Sequence, residues 1–239
     1  IHRWLEFRRV LFRSTNGNVI IVHGGGNIAN DYFKKNNIPV KMINGRRITD
    51  KIAIEKLVML YSGKINKNII SKLNKSEKKY IGLSGVDSKV ILSKKREIKE
   101  VDYGFVGDIT SINGIFLKLL IDNNIYPVIC PITADKNGLL LNTNADTIAT
   151  KVAIEMSKYY NLRLLYCFDK SGVLENNKVI KRINYHDYLN LLKNKTIKDG
   201  MIPKIENAFD SIKNGVKKVY IGDINIFENP NNSTEICLS

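Results

Sequence analysis

The chain has 239 residues, 44% of them hydrophobic, enough for one large α/β domain or two small ones with a sizeable core, which excludes disordered and fibrous classes. Its 38 Lys and Arg against 23 Asp and Glu give a net charge of +15, a balance that by itself suits an anionic partner such as nucleic acid. The lysines are scattered, however, with no aromatic-interleaved run, and 29 Lys, 28 Asn and 34 Ile together carry the bias of AT-rich coding, so nucleic acid is set aside as a partner.

No apolar run approaches the roughly 18 residues of a membrane span, so no membrane association is expected and the protein is read as soluble and cytoplasmic. The three cysteines, Cys130, Cys167 and Cys237, are read as reduced thiols, since two of them sit inside apolar runs. Residues 1–14 differ from the rest: Arg3, Arg8, Arg9 and Arg13, four of the nine arginines, and the single Trp4 lie there, whereas the first lysine is Lys34. The break leads us to expect a foreign leader over 1–14, the alternative being an ordinary basic N-terminal arm, with native sequence from Thr15 and a single domain over 15–239.

The first expected strand, VIIV at 19–22, runs into Val22-His23-Gly24-Gly25-Gly26-Asn27 and a helix at 27–36. Glycines before a helix let a ligand approach the backbone, and the free N–H groups of the helix start attract anions. Taken alone, the loop fits a loose dinucleotide fingerprint, Gly24-x-Gly26-x-x-Ala29, but Asn44, Gly45, Arg46 and Arg47 stand where a ribose-binding acid belongs. It also fits a hydrolase oxyanion loop, although the nearest elbow, Gly82-Leu83-Ser84-Gly85-Val86, has Val in place of the second glycine. A bare structural turn remains open as well. There is no G-x-x-x-x-G-K-[ST], which excludes a P-loop enzyme.

Next, Asn44-Gly45-Arg46-Arg47-Ile48-Thr49-Asp50 precedes a long helix at 50–73. An arginine fork there suits a carboxylate in bidentate geometry, or else the arginines are merely solvated. Strand KYIGLS (79–84), helix 111–123 and strand YPVICP (126–131) follow. Leu141-Asn142-Thr143-Asn144-Ala145-Asp146 then leads into a helix at 145–160, whose Ala145, Ile148, Ala149, Val152 and Met156 form one apolar stripe. Capping explains one of those polar residues but not three. Strand LRLLYCF (162–168) runs into Asp169-Lys170-Ser171-Gly172-Val173-Leu174, a turn able to hold ribose or phosphate groups. Asp199-Gly200-Met201-Ile202-Pro203-Lys204 opens a helix at 204–214, and a lysine at a helix start hints at an anion. Strand KKVYIG (217–222) ends the series. Near-continuous apolar strands alternating with helices argue for a mostly parallel sheet covered on both faces.

In order, HGGG, NGRRITD, DYGFVGD (102–108), NTNAD, DKSGVL and DGMIPK resemble the motif series of the amino-acid kinase family, and within it the acetylglutamate kinases, from about Val19 to about Gly222. The resemblance implies a three-layer αβα sandwich with a mostly parallel central sheet. It implies transfer of the ATP γ-phosphoryl group to the side-chain carboxylate of N-acetyl-L-glutamate, giving an acyl phosphate in arginine biosynthesis. By the matching motifs, Gly25 and Gly26 hold the attacking carboxylate, Arg47 binds the α-carboxylate and Asn142 contacts the acylated amino acid. Lys204 and Asp146 are the catalytic pair, the lysine neutralising phosphoryl charge and the aspartate orienting the lysine. Asp169, Lys170, Ser171, Gly172, Val173, Leu174 and the segment 196–198 with Lys198 line ATP, the N-terminal part of the domain taking the acyl amino acid and the C-terminal part the nucleotide. Mg²⁺ is carried by the nucleotide phosphates, with no protein metal ligand, and relatives imply a homo-oligomer. Chemically, phosphoryl transfer asks for positioning and cations rather than covalent help, which these residue types supply.

The family pattern also includes a first strand with a Lys-x-Gly-Gly loop, which is missing before VIIVHGGG, and a Gly-Thr-x-Ile that here reads Ser233-Thr234-Glu235-Ile236. The missing loop leads us to expect weak or no turnover from the chain as written, with Arg9 to Arg13 as an improvised strand. The alternatives are a succinylglutamate kinase, a sister kinase of the family, and a non-catalytic binding protein with the same fold.

Overall fold

The computed structural model describes residues 9–14, 17–43, 46–198 and 200–239. Arg3, Trp4 and Arg8 of the leader, the Thr15 junction, Asn44 and Gly45 of the arginine turn, and Asp199 lie outside the described residues. The chain divides into two compact units, one of residues 20–148 and one of 149–239 together with the chain up to residue 19.

In chain order, β1 (Arg9–Ser14) forms on the RVLFR run and β2 (Val19–His23) on VIIV. The glycine loop opens α1 (Gly26–Lys35), and the short strands β3 (Met42–Ile43) and β4 (Arg46–Arg47) flank the arginine turn. The long helix expected over 50–73 is continuous but not uniform: α2 (Lys51–Val58) passes through a π-helical stretch, Met59–Ile65, into α3 (Asn66–Leu73). Then come β5 (Lys79–Leu83), β6 (Ile91–Lys95), β7 (Gly107–Ile112), α4 (Gly114–Asp122), β8 (Ile125–Ile129), β9 (Ile132–Ala134), β10 (Leu140–Asn142) and α5 (Ala145–Ser157). The remainder holds β11 (Leu162–Cys167), β12 (Leu174–Glu175), β13 (Lys178–Val179), β14 (Arg182–Ile183), α6 (Tyr185–Lys193), α7 (Met201–Lys213), β15 (Lys218–Gly222) and β16 (Thr234–Ile236).

In the 20–148 unit, β8 lies between β2 and β5 and pairs with both in parallel, Ile21 opposite Val128 and Leu83 opposite Ile129. Ile20, Ile21, Val22, Val128 and Ile129 are all buried, because helices pack on the sheet and leave these strands no polar face. A second, mixed sheet in the order β10-β9-β6-β7 was not expected from the sequence, since its strands are short and carry no clear alternation.

In the 149–239 unit, β11 pairs with β15 in parallel and with β1 antiparallel, Val10 opposite Tyr166 and Ser14 opposite Leu162. β16 joins β15 antiparallel and β14 in parallel. The expected stripe of α5 is buried at Ile148, Ala149, Val152 and Met156, with Ala145 only half-buried at the helix start. Cys130 and Cys167 are buried free thiols and Cys237 is half-buried. The chain is thus an α/β fold with parallel sheets, as the alternation of elements predicted, and no helix among the described residues is long and apolar enough to cross a membrane.

Candidate active site

The glycine loop sits where β2 gives way to α1. Gly25 is the residue before the helix, and its carbonyl accepts the first helical hydrogen bond from Ala29 N at 2.9 Å. No side chain caps this end, and no acidic residue occupies its first turn. The N–H groups at 25 and 26 thus stand at a helix start without a side-chain cap, the kind of end that attracts anions. A Cβ on Gly25 would fall 2.6 Å from Ile65 Cδ1 and 2.8 Å from Tyr61 Cε1, so any larger residue would have to displace those side chains. Gly26 is exposed, and a Cβ on it would meet nothing.

Arg47 comes from β4 and is only 8% exposed. Its Nη2 donates to Asn30 Oδ1 at 2.5 Å and to the Gly26 carbonyl at 3.5 Å, while the guanidinium carbon lies 4.9 Å from the centre of the Phe33 ring. Its other terminal nitrogen, Nη1, is buried with no hydrogen-bond partner among the described residues. Burial pulls the Arg47 pKa below its usual value, an effect partly offset by the nearby Tyr61. A buried guanidinium with one donor left over is costly unless an anion completes it. By contrast its neighbour Arg46 is exposed, so the two arginines of the motif have different surroundings.

Thr49 and Asp50 of the same motif hold the turn. Asp50 caps α2 through Ala53 N at 2.7 Å. Thr49 is fully buried, and its backbone clasps the DYGFVGD segment: its N–H donates to the Tyr103 carbonyl at 3.0 Å and its carbonyl accepts from Phe105 N at 2.7 Å. Gly104 between them has φ +72 and sits against the Thr49 carbonyl, where a Cβ would fall at 2.2 Å.

Asn142 ends β10, accepts no cap duty, and donates its side-chain amide to Thr49 Oγ1 at 3.1 Å. Asn144 is the residue that caps α5, through Thr147 N at 3.0 Å, so capping and site contact fall on different asparagines of NTNAD. Arg47, Thr49 and Asn142 are thereby linked within the 20–148 unit, with Arg47 reaching the glycine loop. Asp146 stands in the first turn of α5.

In the 149–239 unit, Lys204 lies in the first turn of α7 and is 4% exposed. Its ammonium sits 5.0 Å from the ring centre of Tyr166 in β11, and the Tyr166 hydroxyl is 2.6 Å from Thr150 Oγ1. Such a cation over an aromatic face is held in place by the ring quadrupole. Among the residues expected to line the nucleotide, Asp169, Lys170, Ser171 and Lys198 are exposed, while Gly172 and Val173 are buried. Val173 N donates to Thr234 Oγ1 at 2.8 Å, and a Cβ on Gly172 would meet that same oxygen at 2.6 Å. Thr234 of the altered Gly-Thr-x-Ile word therefore still fastens the DKSGVL turn. Beside it, Ser171, Lys181, Asp223, Asn225 and Ser233 line a cavity of about 460 Å³.

Several residues near these groups carried no signal in the sequence. Asn30, Tyr61 and Tyr166 lie inside ordinary helical or strand patterns, and only their tertiary surroundings single them out. The hydrolase alternative gains no support from the geometry. The Ser84 hydroxyl donates to Asp87 Oδ2 at 2.8 Å, while the His23 ring is engaged with the Gly24 carbonyl and Asn66.

Comparison with known proteins gives the family. The chain is 42% identical over 214 residues to the acetylglutamate kinase of Bacteroides fragilis, spanning 88% of this chain and 82% of that one. It is 43% identical over 215 residues to the acetylglutamate kinase of Cytophaga hutchinsonii, spanning 88% and 81%. Among solved structures, smu.665 from Streptococcus mutans UA159 superposes with a TM-score of 0.80 at 32% identity, covering 92% of this chain and 86% of that one. Since the profile of the amino acid kinase family also matches residues 7–223, this chain belongs to that family.

Proposed function

We propose that the protein is an acetylglutamate kinase, catalysing ATP-dependent phosphorylation of the side-chain carboxylate of N-acetyl-L-glutamate in arginine biosynthesis. Two relatives of that name at 42% and 43% identity support the reading. The observation that carries it in the structure is Arg47: a buried guanidinium, anchored beside the Gly26 carbonyl, with an Nη1 donor left over for a carboxylate.

On this reading the α-carboxylate of the substrate docks on Arg47, and Asn142 contacts the acylated amino group. The side-chain carboxylate is held against the N–H groups of Gly25 and Gly26. One of its oxygens attacks the γ-phosphorus in line, a new P–O bond forms, and the bond to the β-phosphate oxygen breaks to release ADP. No proton has to move, so positioning and charge neutralisation are the tasks left to the protein. Lys204 neutralises developing charge on the phosphoryl oxygens, and Asp146 orients it. Asp169, Lys170, Ser171, Gly172, Val173, Leu174 and Lys198 line the nucleotide, so the 20–148 part takes the acyl amino acid and the 149–239 part ATP. Magnesium comes in on the nucleotide phosphates; among the described residues no group of three or more His, Cys, Asp or Glu is placed to hold an ion. The same reading makes the protein a cytoplasmic homo-oligomer.

The test is a coupled ADP-release assay on the full chain with N-acetylglutamate and, in parallel, N-succinylglutamate. ADP release that depends on N-acetylglutamate is expected to be slow, because the Lys-x-Gly-Gly loop is missing, and saturable binding of N-acetylglutamate by the chain is expected beside it. Preference for the succinyl substrate in either readout, or no binding of N-acetylglutamate, overturns the reading.

A further inference from the structure

The proposed mechanism uses the N–H groups of Gly25 and Gly26 but not the groups that aim them. Behind the loop lie two completely buried polar side chains, His23 at 0% and Asn66 at 1% exposure. Asn66 is the first residue of α3, at the end of the π-helical stretch, and is 43 residues from His23 in sequence.

The hydrogen bonds of this pair can be assigned by elimination. Asn66 Nδ2 lies 2.9 Å from the Val128 carbonyl, which can only accept, so the amide nitrogen faces β8. The same nitrogen lies 3.2 Å from His23 Nε2. An amide N–H₂ only donates, so Nε2 is the accepting nitrogen of a neutral ring and the proton sits on Nδ1. Nδ1 is 2.8 Å from the Gly24 carbonyl and donates to it. The opposite end of the Asn66 amide, Oδ1, is buried without a hydrogen-bond partner among the described residues and rests against Gly82, where a Cβ would fall 2.0 Å away. Turning the amide over would set its oxygen against the Val128 carbonyl, acceptor against acceptor, so the orientation is fixed by that contact.

The consequence for the loop follows from peptide geometry. In a trans peptide the carbonyl of one residue and the N–H of the next point in opposite directions. Holding the Gly24 carbonyl toward His23 therefore turns the Gly25 N–H away from it. The Gly25 carbonyl is committed to Ala29 N, which aims the Gly26 N–H out of the start of α1 in the same manner. Tyr61 and Ile65 of the π-helical stretch close on Gly25 from behind. π-Helical turns recur at functional sites, and here the stretch delivers Tyr61, Ile65 and Asn66 to one loop.

We infer that Asn66 and His23 are positioning residues for phosphoryl transfer: Asn66 holds His23 as the Nδ1–H tautomer, and the ring fixes the direction of the Gly25 N–H. The inference rests on the proposed kinase reading for its effect on rate, but not for its effect on the ring and loop.

Two measurements on the full chain test it. The first is ¹⁵N NMR of the imidazoles, which needs no activity; the chain has three histidines, and His23→Asn identifies the signal of interest. The Nδ1–H tautomer is expected, and Asn66→Ala is expected to mix the tautomers and displace the Gly25 amide signal. A ring protonated on Nε2, or a Gly25 amide unmoved in Asn66→Ala, overturns the inference whether or not the chain turns over acetylglutamate. The second is kinetic. Asn66→Ala should lower kcat by about tenfold to a hundredfold, the scale of a misplaced reacting group, with KM for the acyl amino acid little changed because Arg47 and Asn142 are untouched. His23→Ala should behave alike, and His23→Asn, whose amide can still donate toward Gly24, should recover most of the rate. An unchanged kcat, or no recovery in a His23→Asn protein that melts like the parent, overturns it too. If the parent chain turns over too slowly to measure, as the missing loop leads us to expect, the NMR result alone decides the positioning.

Discussion

Arg47 and Lys204 are buried cations, and each is made tolerable in a different way. Arg47 spends one nitrogen on Asn30 and Gly26 and retains another, whereas Lys204 rests on the face of Tyr166. The first arrangement is directional and suits a carboxylate fork; the second holds the ammonium over a ring face, an attraction that sets position rather than donor direction. Arg47→Lys should therefore raise KM for N-acetylglutamate by roughly tenfold to a hundredfold, the worth of a charged hydrogen bond, with a smaller effect on KM for ATP. Steady-state kinetics with each substrate varied in turn checks this. At Tyr166 the ring rather than the hydroxyl is expected to matter for rate. Tyr166→Phe should keep kcat within about threefold, and Tyr166→Leu should lose about tenfold or more, as removal of a desolvated cation–π contact predicts. Equal losses in both variants would assign the effect to the Thr150 hydrogen bond.

At the scale of elements, the abundance of asparagine acquires a structural meaning beyond coding bias. Helices α1, α3, α4, α6 and α7 end on Asn36, Asn74, Asn123, Asn194 and Asn214. Asn36, Asn123 and Asn214 each donate a side-chain N–H at 2.8 Å to the carbonyl four residues back, Tyr32, Leu119 and Asp210. Each of these bonds gives a second donor to a carbonyl that already accepts the same asparagine's backbone N–H, and so tightens the last turn. The residues that follow, Asn37 and Asn124, adopt positive φ, which asparagine tolerates better than most residues. Asn36→Ala should accordingly lower unfolding free energy by about 0.5–1 kcal/mol, read from urea melts. Gly104→Ala should cost more, about 1–3 kcal/mol, because the residue has φ +72 and a Cβ would strike the Thr49 carbonyl. Since Thr49 carries the contact to Asn142, this variant should also weaken acetylglutamate binding.

For the molecule as a whole, the division into a 20–148 unit and a 149–239 unit predicts where each ligand will be felt. Hydrogen exchange with N-acetylglutamate alone should protect peptides around 24–30, 46–50 and 141–144. Exchange with Mg-ATP alone should protect peptides around 169–174 and 196–204. At a hundredfold excess over Kd either ligand stabilises the native state by about 2.7 kcal/mol, so thermal melts should shift upward with each. Protection by ATP confined to the 20–148 unit would overturn the assignment of the nucleotide to the other part. The charge of +15 enters only as a background field: among the described residues, Arg47 and Lys204 are the basic side chains that burial singles out.

Much of the site was legible because its words are local. A strand of β-branched residues, a run of glycines and a helix start are contiguous, so HGGG could be placed at the end of a strand, NGRRITD ahead of the long helix and NTNAD at a helix start by pattern alone, and the alternation of strands and helices set the α/β class; the short strand β4 under the arginines was not foreseen. Which nitrogen of Arg47 is left over, which asparagine of NTNAD caps and which reaches Thr49, and what holds the glycine loop from behind were decided only in three dimensions. Those properties depend on burial and on hydrogen-bond partners tens of residues away, as between His23 and Asn66 or Thr49 and Asn142. A polar side chain in a helical stripe looks the same in sequence whether it faces water or a histidine. The tertiary structure removes the water and leaves each donor to find a fixed partner.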